Sequence, residues 1–207
     1  MSKVVVIEHL TLDGVMQGPA RPDEDRRDGF EYGGWAAARN DPAMQKVIGA
    51  RMGSSWSLLV GRTTYEDFAK VWPNQPQPNP FTEALNNAEK FVVSTTLTEP
   101  LPWQNSTLLK GVKGDATDAV AKLKKDHDKT LVIFGSGVLV QSLMRRDLID
   151  EYVLQIHPLV LGKGRRLFPD GSPLTKFSLV DSVTTGTGVI SRRISRLQSA
   201  DHRCGRR

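Results

Sequence analysis

The stretch Leu131-Val132-Ile133-Phe134-Gly135-Ser136-Gly137-Val138-Leu139 constrains this chain more than any other. Four consecutive large apolar residues between Thr130 and Gly135 suit a strand covered on both faces. Leu139, Val140, Leu143 and Met144 then recur at helical spacing, with Arg145 and Arg146 in the last turn. The spacing therefore predicts strand, tight turn and helix in direct succession. Glycine at 135 and 137 permits a sharp turn and a close backbone approach, while the first N–H groups of a helix have no intrahelical acceptor; together these make a phosphate-site geometry. The third glycine of the Rossmann fingerprint is absent. Two readings stand at this point: a turn that binds phosphate, or a glycine-bearing turn that only packs tightly.

The rest of the chain supplies a sheet for that strand to join. Residues 3–10 are rich in β-branched side chains and read as a central strand, closed by the turn Thr11-Leu12-Asp13-Gly14. Residues 14–34 form a polar loop, of a length that marks a lid, a binding loop or disorder; a substrate-side loop is the preferred reading. Asp41-Pro42 is an N-cap and N1 pair for a helix burying Met44, Val47, Ile48 and Met52 and ending at Gly53. Residues 56–60 form the next strand, and Gly61-Arg62-Thr63-Thr64-Tyr65-Glu66 turns it into a helix with a Thr63-x-x-Glu66 capping box. Prolines at 73, 76, 78 and 80 forbid a regular element there, leaving a surface connection. Residues 90–94 and 107–109 are two further short strands, and Asp115 caps a helix to Asp126 that turns Ala119, Val120 and Leu123 inward. A long strand over 152–161 and a hairpin of 176–184 with 189–194, over Thr185-Gly186-Thr187-Gly188, complete the pattern. Alternating strand and helix followed by strand pairs means α/β, a mostly parallel central sheet with an antiparallel C-terminal edge and helices on both faces.

With 207 residues the chain suits one domain, placed at residues 1–197, with 198–207 as a basic, disordered tail. The net charge is +5 and the isoelectric point near 9.4, which invites a nucleic-acid reading. The excess is local: residues 192–207 hold six arginines against Asp201, and the remainder is neutral. That segment has no aromatic residue to stack on a base, so nucleic acid is not the expected partner. No apolar run approaches the roughly 20 residues that span a bilayer, and the start lacks a signal-peptide cleavage site, so a soluble, cytoplasmic protein off the membrane is expected. The single cysteine, Cys204, allows no intramolecular disulfide, and no spacing resembles a metal site.

Five ordered motifs then combine. Thr11-Leu12-Asp13-Gly14, the run Leu59-Val60-Gly61-Arg62-Thr63-Thr64-Tyr65-Glu66, the run Lys90-Phe91-Val92-Val93-Ser94-Thr95-Thr96-Leu97, Phe134-Gly135-Ser136-Gly137, and Asp150-Glu151-Tyr152 leading to Pro158-Leu159-Val160-Leu161-Gly162-Lys163-Gly164 with Leu167-Phe168 follow one another along the chain. Together they resemble the dihydrofolate-reductase-like family that includes the reductase domain of riboflavin biosynthesis, the RibD C-terminal domain type. The resemblance implies a dihydrofolate-reductase-like fold, NADPH as hydride donor, a small-molecule substrate and a homodimer. It also implies that Gly61, Arg62 and Thr64 meet the cofactor's phosphates, with Arg62 at the adenosine 2′-phosphate. Bidentate pairing by arginine makes that chemically sound. Ser94 and Thr96 are implied on the adenosine side, or they are an ordinary strand end. Gly135, Ser136 and Gly137 are implied at the pyrophosphate. Dihydrofolate reductase has consecutive glycines joined by a cis peptide at this turn, and Ser136 departs from that pattern.

Two acids are candidate proton donors in a catalytic role. Asp41 lies where dihydrofolate reductase draws a carboxylate, and it also reads as a helix cap; Asp13 lies at the mouth of the long loop, and Asp-Gly also serves turns without chemistry. His9 and His157 fall within strands and read as structural. The leading expectation is an NADPH-dependent oxidoreductase acting on a riboflavin-pathway pyrimidine, of the 5-amino-6-(5-phosphoribosylamino)uracil type, or on a pterin or similar C=N or C=O substrate. The Leu12-Asp13-Gly14 start favours the riboflavin branch. The alternative is an NADPH-binding regulatory protein of the same fold without turnover.

Overall fold

The apolar and β-branched runs form eight strands of one sheet: β1 (Val4–Thr11), β2 (Trp56–Gly61), β3 (Lys90–Val93), β4 (Ser106–Leu109), β5 (Thr130–Phe134), β6 (Glu151–His157), β7 (Phe177–Thr184) and β8 (Ile190–Arg196). Five helices join them: α1 (Pro42–Met52), α2 (Arg62–Val71), α3 (Pro80–Asn87), α4 (Thr117–Asp126) and α5 (Gly137–Arg145). This arrangement comes from a computed structural model, which describes residues 1–39, 42–52, 55–76, 78–111 and 116–197. The strand order is β4-β3-β2-β5-β1-β6-β8-β7. The first six of these run parallel, and β8 and β7 add an antiparallel edge. The expected fold is therefore the observed one.

The continuous apolar runs of the central strands have a physical cause. Successive side chains point to opposite faces, and helices cover both. Val4, Val6, Leu59, Leu131 and Ile133 meet Val120 of α4 and Leu139, Val140 and Leu143 of α5 in one core. The alternate residues Leu58, Val60 and Val92 meet Tyr65 of α2 and Leu85 of α3, while Val5, Ile7, Val132 and Val153 meet Met52 of α1. Removing one such side chain costs about 2–5 kcal/mol, because neither face has water to refill the gap.

Several sequence expectations need correction. The proline-rich run does not exclude a regular element: Pro80 is the first residue of α3, and Asn79 caps it by accepting from the Thr82 N–H at 3.1 Å. Proline at the first helical position gives up an N–H that has no partner in any case. The Thr63-x-x-Glu66 capping box does not form, since α2 begins at Arg62 straight from Gly61 and has no side-chain cap. β6 ends at His157, before Pro158, and is shorter than the expected 152–161 strand. The expected caps Asp41 and Asp115, the stop at Gly53 and the 198–207 tail lie outside the described residues. Arg193 and Arg196, counted within the basic segment, belong to β8 and pair with Glu151 at 2.7 Å and Asp147 at 2.8 Å. No helix among the described residues is long and apolar enough to cross a membrane.

The long loop after β1 is strapped down. Val15 bridges Arg166, the Met16 N–H donates to Arg165 O at 2.9 Å, and the Leu167 N–H donates to Gly14 O at 3.1 Å. Val15, Phe30, Trp35 and Ala36 then pack with Leu159 and Leu161 as a small core of their own. The loop thus closes over the carboxyl ends of β1 and β6.

Candidate active site at the carboxyl ends of the strands

In open α/β sheets, ligands bind outside the carboxyl ends of the strands, near the point where the strand order reverses. Here β1 lies between β5 and β6, with earlier strands on one side of it and later ones on the other. The carboxyl ends of β3, β2 and β5 are neighbours, and they carry the residues singled out from sequence as phosphate and adenosine contacts.

The two glycine turns clasp each other. Ser136 donates its N–H to Thr64 Oγ1 at 3.1 Å, its hydroxyl accepts from the Gly61 N–H at 3.1 Å, and that hydroxyl donates to Phe134 O at 3.3 Å. Gly61, Thr64, Gly135, Ser136 and Gly137 are thereby brought into one structure from turns some 70 residues apart. Gly135 and Ser136 both take positive φ, +56° and +58°. A non-glycine residue there costs about 1–2 kcal/mol, which the three hydrogen bonds of Ser136 offset. Among the described residues the one cis peptide bond is Glu99–Pro100, so Gly135–Ser136 is trans. α5 starts at Gly137 on this platform. A Cβ built at Gly137 would lie 1.7 Å from Met16 Cε, so the methyl group of Met16 stands over the first turn of α5.

Arg62 is exposed in the first turn of α2 and pairs with Glu66, Nη1 to Oε2 at 3.1 Å. Ser94, at the end of β3, accepts from the Thr96 and Leu97 N–H groups at 3.1 and 3.0 Å, which is a hydroxyl-closed turn beside the end of β2. Thr96 is exposed on it. Beyond α5 opens a cleft of about 640 Å³, lined by Met16, Val138, Gln141, Gly164, Arg165 and Arg166. Asp28 and Asp170 line it as well, and Arg165 pairs with Asp28 at 2.8 Å, so the two arginines are balanced by carboxylates.

Of the two candidate acids, Asp41 lies outside the described residues. Asp13 accepts from the Thr11 hydroxyl at 2.6 Å, the Gly162 N–H at 2.9 Å and the Leu161 N–H at 3.3 Å. Burial pushes its carboxyl up, but these donors outweigh burial and hold it below the usual range. An ionised carboxylate with three donors anchors the 158–164 segment to β1, and it has no proton to give near neutral pH.

A different acid emerges. Glu8 is buried on β1; its Oε1 accepts only from the His9 N–H at 3.3 Å, and its Oε2 has no partner among the described residues. Burial pushes its pKa up to about 8, the His9 N–H opposes this, and Glu24 on the loop raises it further. On the opposite face of the sheet, His9 Nδ1 and His157 Nε2 are 2.9 Å apart, with Trp35 edge-on to His157. Burial lowers both imidazoles to about 4, helped at His9 by His157 and at His157 by Arg39. Both rings are therefore neutral near pH 7. Among the described residues either tautomer leaves His157 Nδ1 without a partner, and Gln155 Oε1 is likewise unpaired. Each such buried atom costs about 1–3 kcal/mol. Two of them, on Gln155 and His157, share one face of β6, and the third, on Glu8, lies on the other face of the neighbouring β1. The sequence carried one signal for it: an acid in the interior of an otherwise apolar central strand.

Known proteins place this geometry. YwjB of Bacillus subtilis (strain 168), itself described as uncharacterized, is 35% identical over 133 residues, covering 64% of this chain and 70% of that one. A pyrimidine reductase-like protein from Corynebacterium diphtheriae has a similar structure, with a TM-score of 0.64, 13% identity, and coverage of 96% of this chain and 93% of that one. Dihydrofolate reductase from Enterococcus faecalis, complexed with NADP(H), gives 0.58 and 14%, covering 95% and 97%. At such identities these structures share the fold. Over residues 2–191 the sequence matches the family model of the RibD C-terminal domain, nearly the whole of the sheet and its helices, and the chain belongs to that family.

Proposed function

We propose that this protein is a reductase that takes a hydride from NADPH and delivers it to a small heterocyclic or sugar-imine substrate, of the riboflavin-pathway pyrimidine type or a pterin. The observation that carries this reading is the clasp of Gly61 and Thr64 with the Gly135-Ser136-Gly137 turn at the carboxyl ends of β2 and β5, within a RibD C-terminal fold. The residues fit a dinucleotide. The space where a Gly137 Cβ would lie is held by the movable end of Met16, which a ligand can displace. When bound, NADPH supplies the hydride.

The chain's own residues supply position and charge. The first-turn N–H groups of α5 and α2 face anionic groups from two neighbouring turns. Arg62 exchanges Glu66 for a 2′-phosphate, and Ser94 and Thr96 border the adenosine side. Trp35, Phe30 and Val15 close the loop over the sheet's edge and exclude water. The homodimer belongs to the same reading: β7 is an edge strand with Leu179 and Val180 exposed, open to a second copy. A cytoplasmic location goes with it.

The second reading is an NADPH-binding protein without turnover. What favours it is Asp13, a carboxylate committed to holding a loop. Fluorescence titration with NADPH, followed by absorbance-detected NADPH oxidation across a panel of pyrimidine and pterin substrates, separates the two. Binding with oxidation supports the reductase, binding without oxidation supports the second reading, and absence of binding overturns both.

A further inference from the structure

We infer that Glu8 is the catalytic acid of this site: its buried carboxyl hands a proton to the substrate heteroatom as the dinucleotide beside it becomes oxidised. The inference rests on the proposed reductase reading and adds to it the group that completes the reduction. Three observations place Glu8 there. The pairing of β1 with β5 ends at Ile7 opposite Phe134, so Glu8 is the first β1 residue past the last pair, level with the point where β5 turns into Gly135. It thus borders the crevice at the strand-order reversal. Its Oε2 is buried with no partner among the described residues, so one oxygen remains for a ligand. The segments over this edge are a strapped loop and the movable end of Met16, which can admit a ligand without unfolding the sheet.

The electrostatics agree. The groups that bear on Glu8 are the His9 N–H of its own strand and the Glu24 carboxylate of the loop. Glu24 is itself held by the Ala20 and Arg21 N–H groups, and Arg21 pairs with Asp67 of α2. His9 and His157, whose rings lie on the opposite face of the sheet, are neutral near pH 7. Glu8 therefore carries its proton at neutral pH, as an acid must.

The step balances as follows. Glu8 would give its proton to the heteroatom of a C=N or C=O group as that atom takes up the π pair, the bound dinucleotide supplying the hydride that the carbon receives. Glu8 would be left as a carboxylate, which the positive charge of the oxidised cofactor would stabilise. Water reprotonates Glu8 after the oxidised cofactor leaves.

This coupling gives a readout that needs no substrate. Proton release on binding is measured by titrating the protein near pH 7 with NADP+ and with NADPH, in calorimetry with two buffers of different ionisation enthalpy. NADP+ should release close to one proton per site from the wild type, and NADPH none. Glu8→Gln should abolish the release while keeping NADPH affinity within about threefold. Equal release with both redox forms, or release that persists in Glu8→Gln, overturns the inference and leaves the reductase reading standing. Failure to bind either dinucleotide overturns both. If Glu8→Gln does not fold, the wild-type comparison of the two redox forms decides alone. With an oxidised substrate in hand, wild-type kcat should fall above about pH 8. Glu8→Gln should lower kcat at least a hundredfold with little change in KM. An unchanged kcat with an unchanged pH profile would make Glu8 a structural acid.

Discussion

Two regions of the same sheet edge are built by opposite means. At the ends of β2 and β5, two glycine turns use side-chain hydroxyls to satisfy backbone N–H groups, and Ser136 is held in a left-handed conformation by Thr64, Gly61 and Phe134. Toward the ends of β1 and β6, Glu8 on one face of the sheet and Gln155 and His157 on the other are buried with polar atoms unpaired among the described residues. The first region is saturated with internal bonds and presents backbone. The second is under-satisfied and presents side chains whose protonation is displaced from the usual values. In the proposed reading, the first would hold a constant anionic group and the second would move a proton, and these have contrasting needs.

The largest expected effect falls on the first region. Gly137→Val should fold, because the new side chain meets only the flexible end of Met16, but it should weaken NADPH by more than about a hundredfold, through loss of two or three charge-assisted contacts of roughly 1.5–3 kcal/mol each. Calorimetric titration and a melting curve on one sample check this. Normal affinity with a lowered Tm would break the comparison, making the turn a packing device.

Next in size is a pH effect from the second region. Between about pH 6.5 and 8 the native state holds the Glu8 proton and the unfolded state does not, so the native state binds more protons and stability falls as pH rises. The fall should be roughly 2 kcal/mol over that window, and Glu8→Gln should remove it. Below pH 6.5 the sign reverses for His9 and His157, which are neutral in the fold down to about pH 4 and charged when unfolded; they make stability rise with pH there. Urea denaturation at several pH values should show a maximum near pH 6.5, and a wild-type curve flat from 6.5 to 8 would remove the second region's distinctive property.

Arg62→Ala sharpens the first region. It should weaken NADPH about tenfold and leave NADH little changed, because only the 2′-phosphate loses its partner and the exposed site is screened. Equal losses for both cofactors, by fluorescence titration, would reject the 2′-phosphate assignment. The smallest effect is Thr64→Val, which strands the Ser136 N–H and should lower stability by about 1 kcal/mol, roughly 2–4 °C in Tm. No change in Tm would mean that the clasp contributes nothing to holding the left-handed turn.

The first region was legible because its information is local. Glycine spacing, a strand read from Leu131 to Phe134 and a helix read from Leu139 onward are properties of neighbouring residues, and the family resemblance reinforced them. The α3 helix was missed because four prolines outweighed one position where proline is at home. The capping box was misread because the helix starts one residue before Thr63, which moves that side chain past the cap position. Asp13 read as an acid because its three donors come from Thr11 nearby and from Leu161 and Gly162 far along the chain.

By itself the sequence determined the sheet, its parallel order and its two-sided core, because alternation, apolar runs and turn residues are set by the backbone's own period and sterics. It also singled out the two glycine turns that the fold brings together. Only the tertiary structure decided that Ser136 reaches Thr64 and Gly61, that Met16 stands over Gly137, and that Glu8 rather than Asp13 is the carboxyl kept protonated. Such outcomes depend on which distant groups desolvate an atom or donate to it, and burial and donors are properties of the folded neighbourhood, not of the residue.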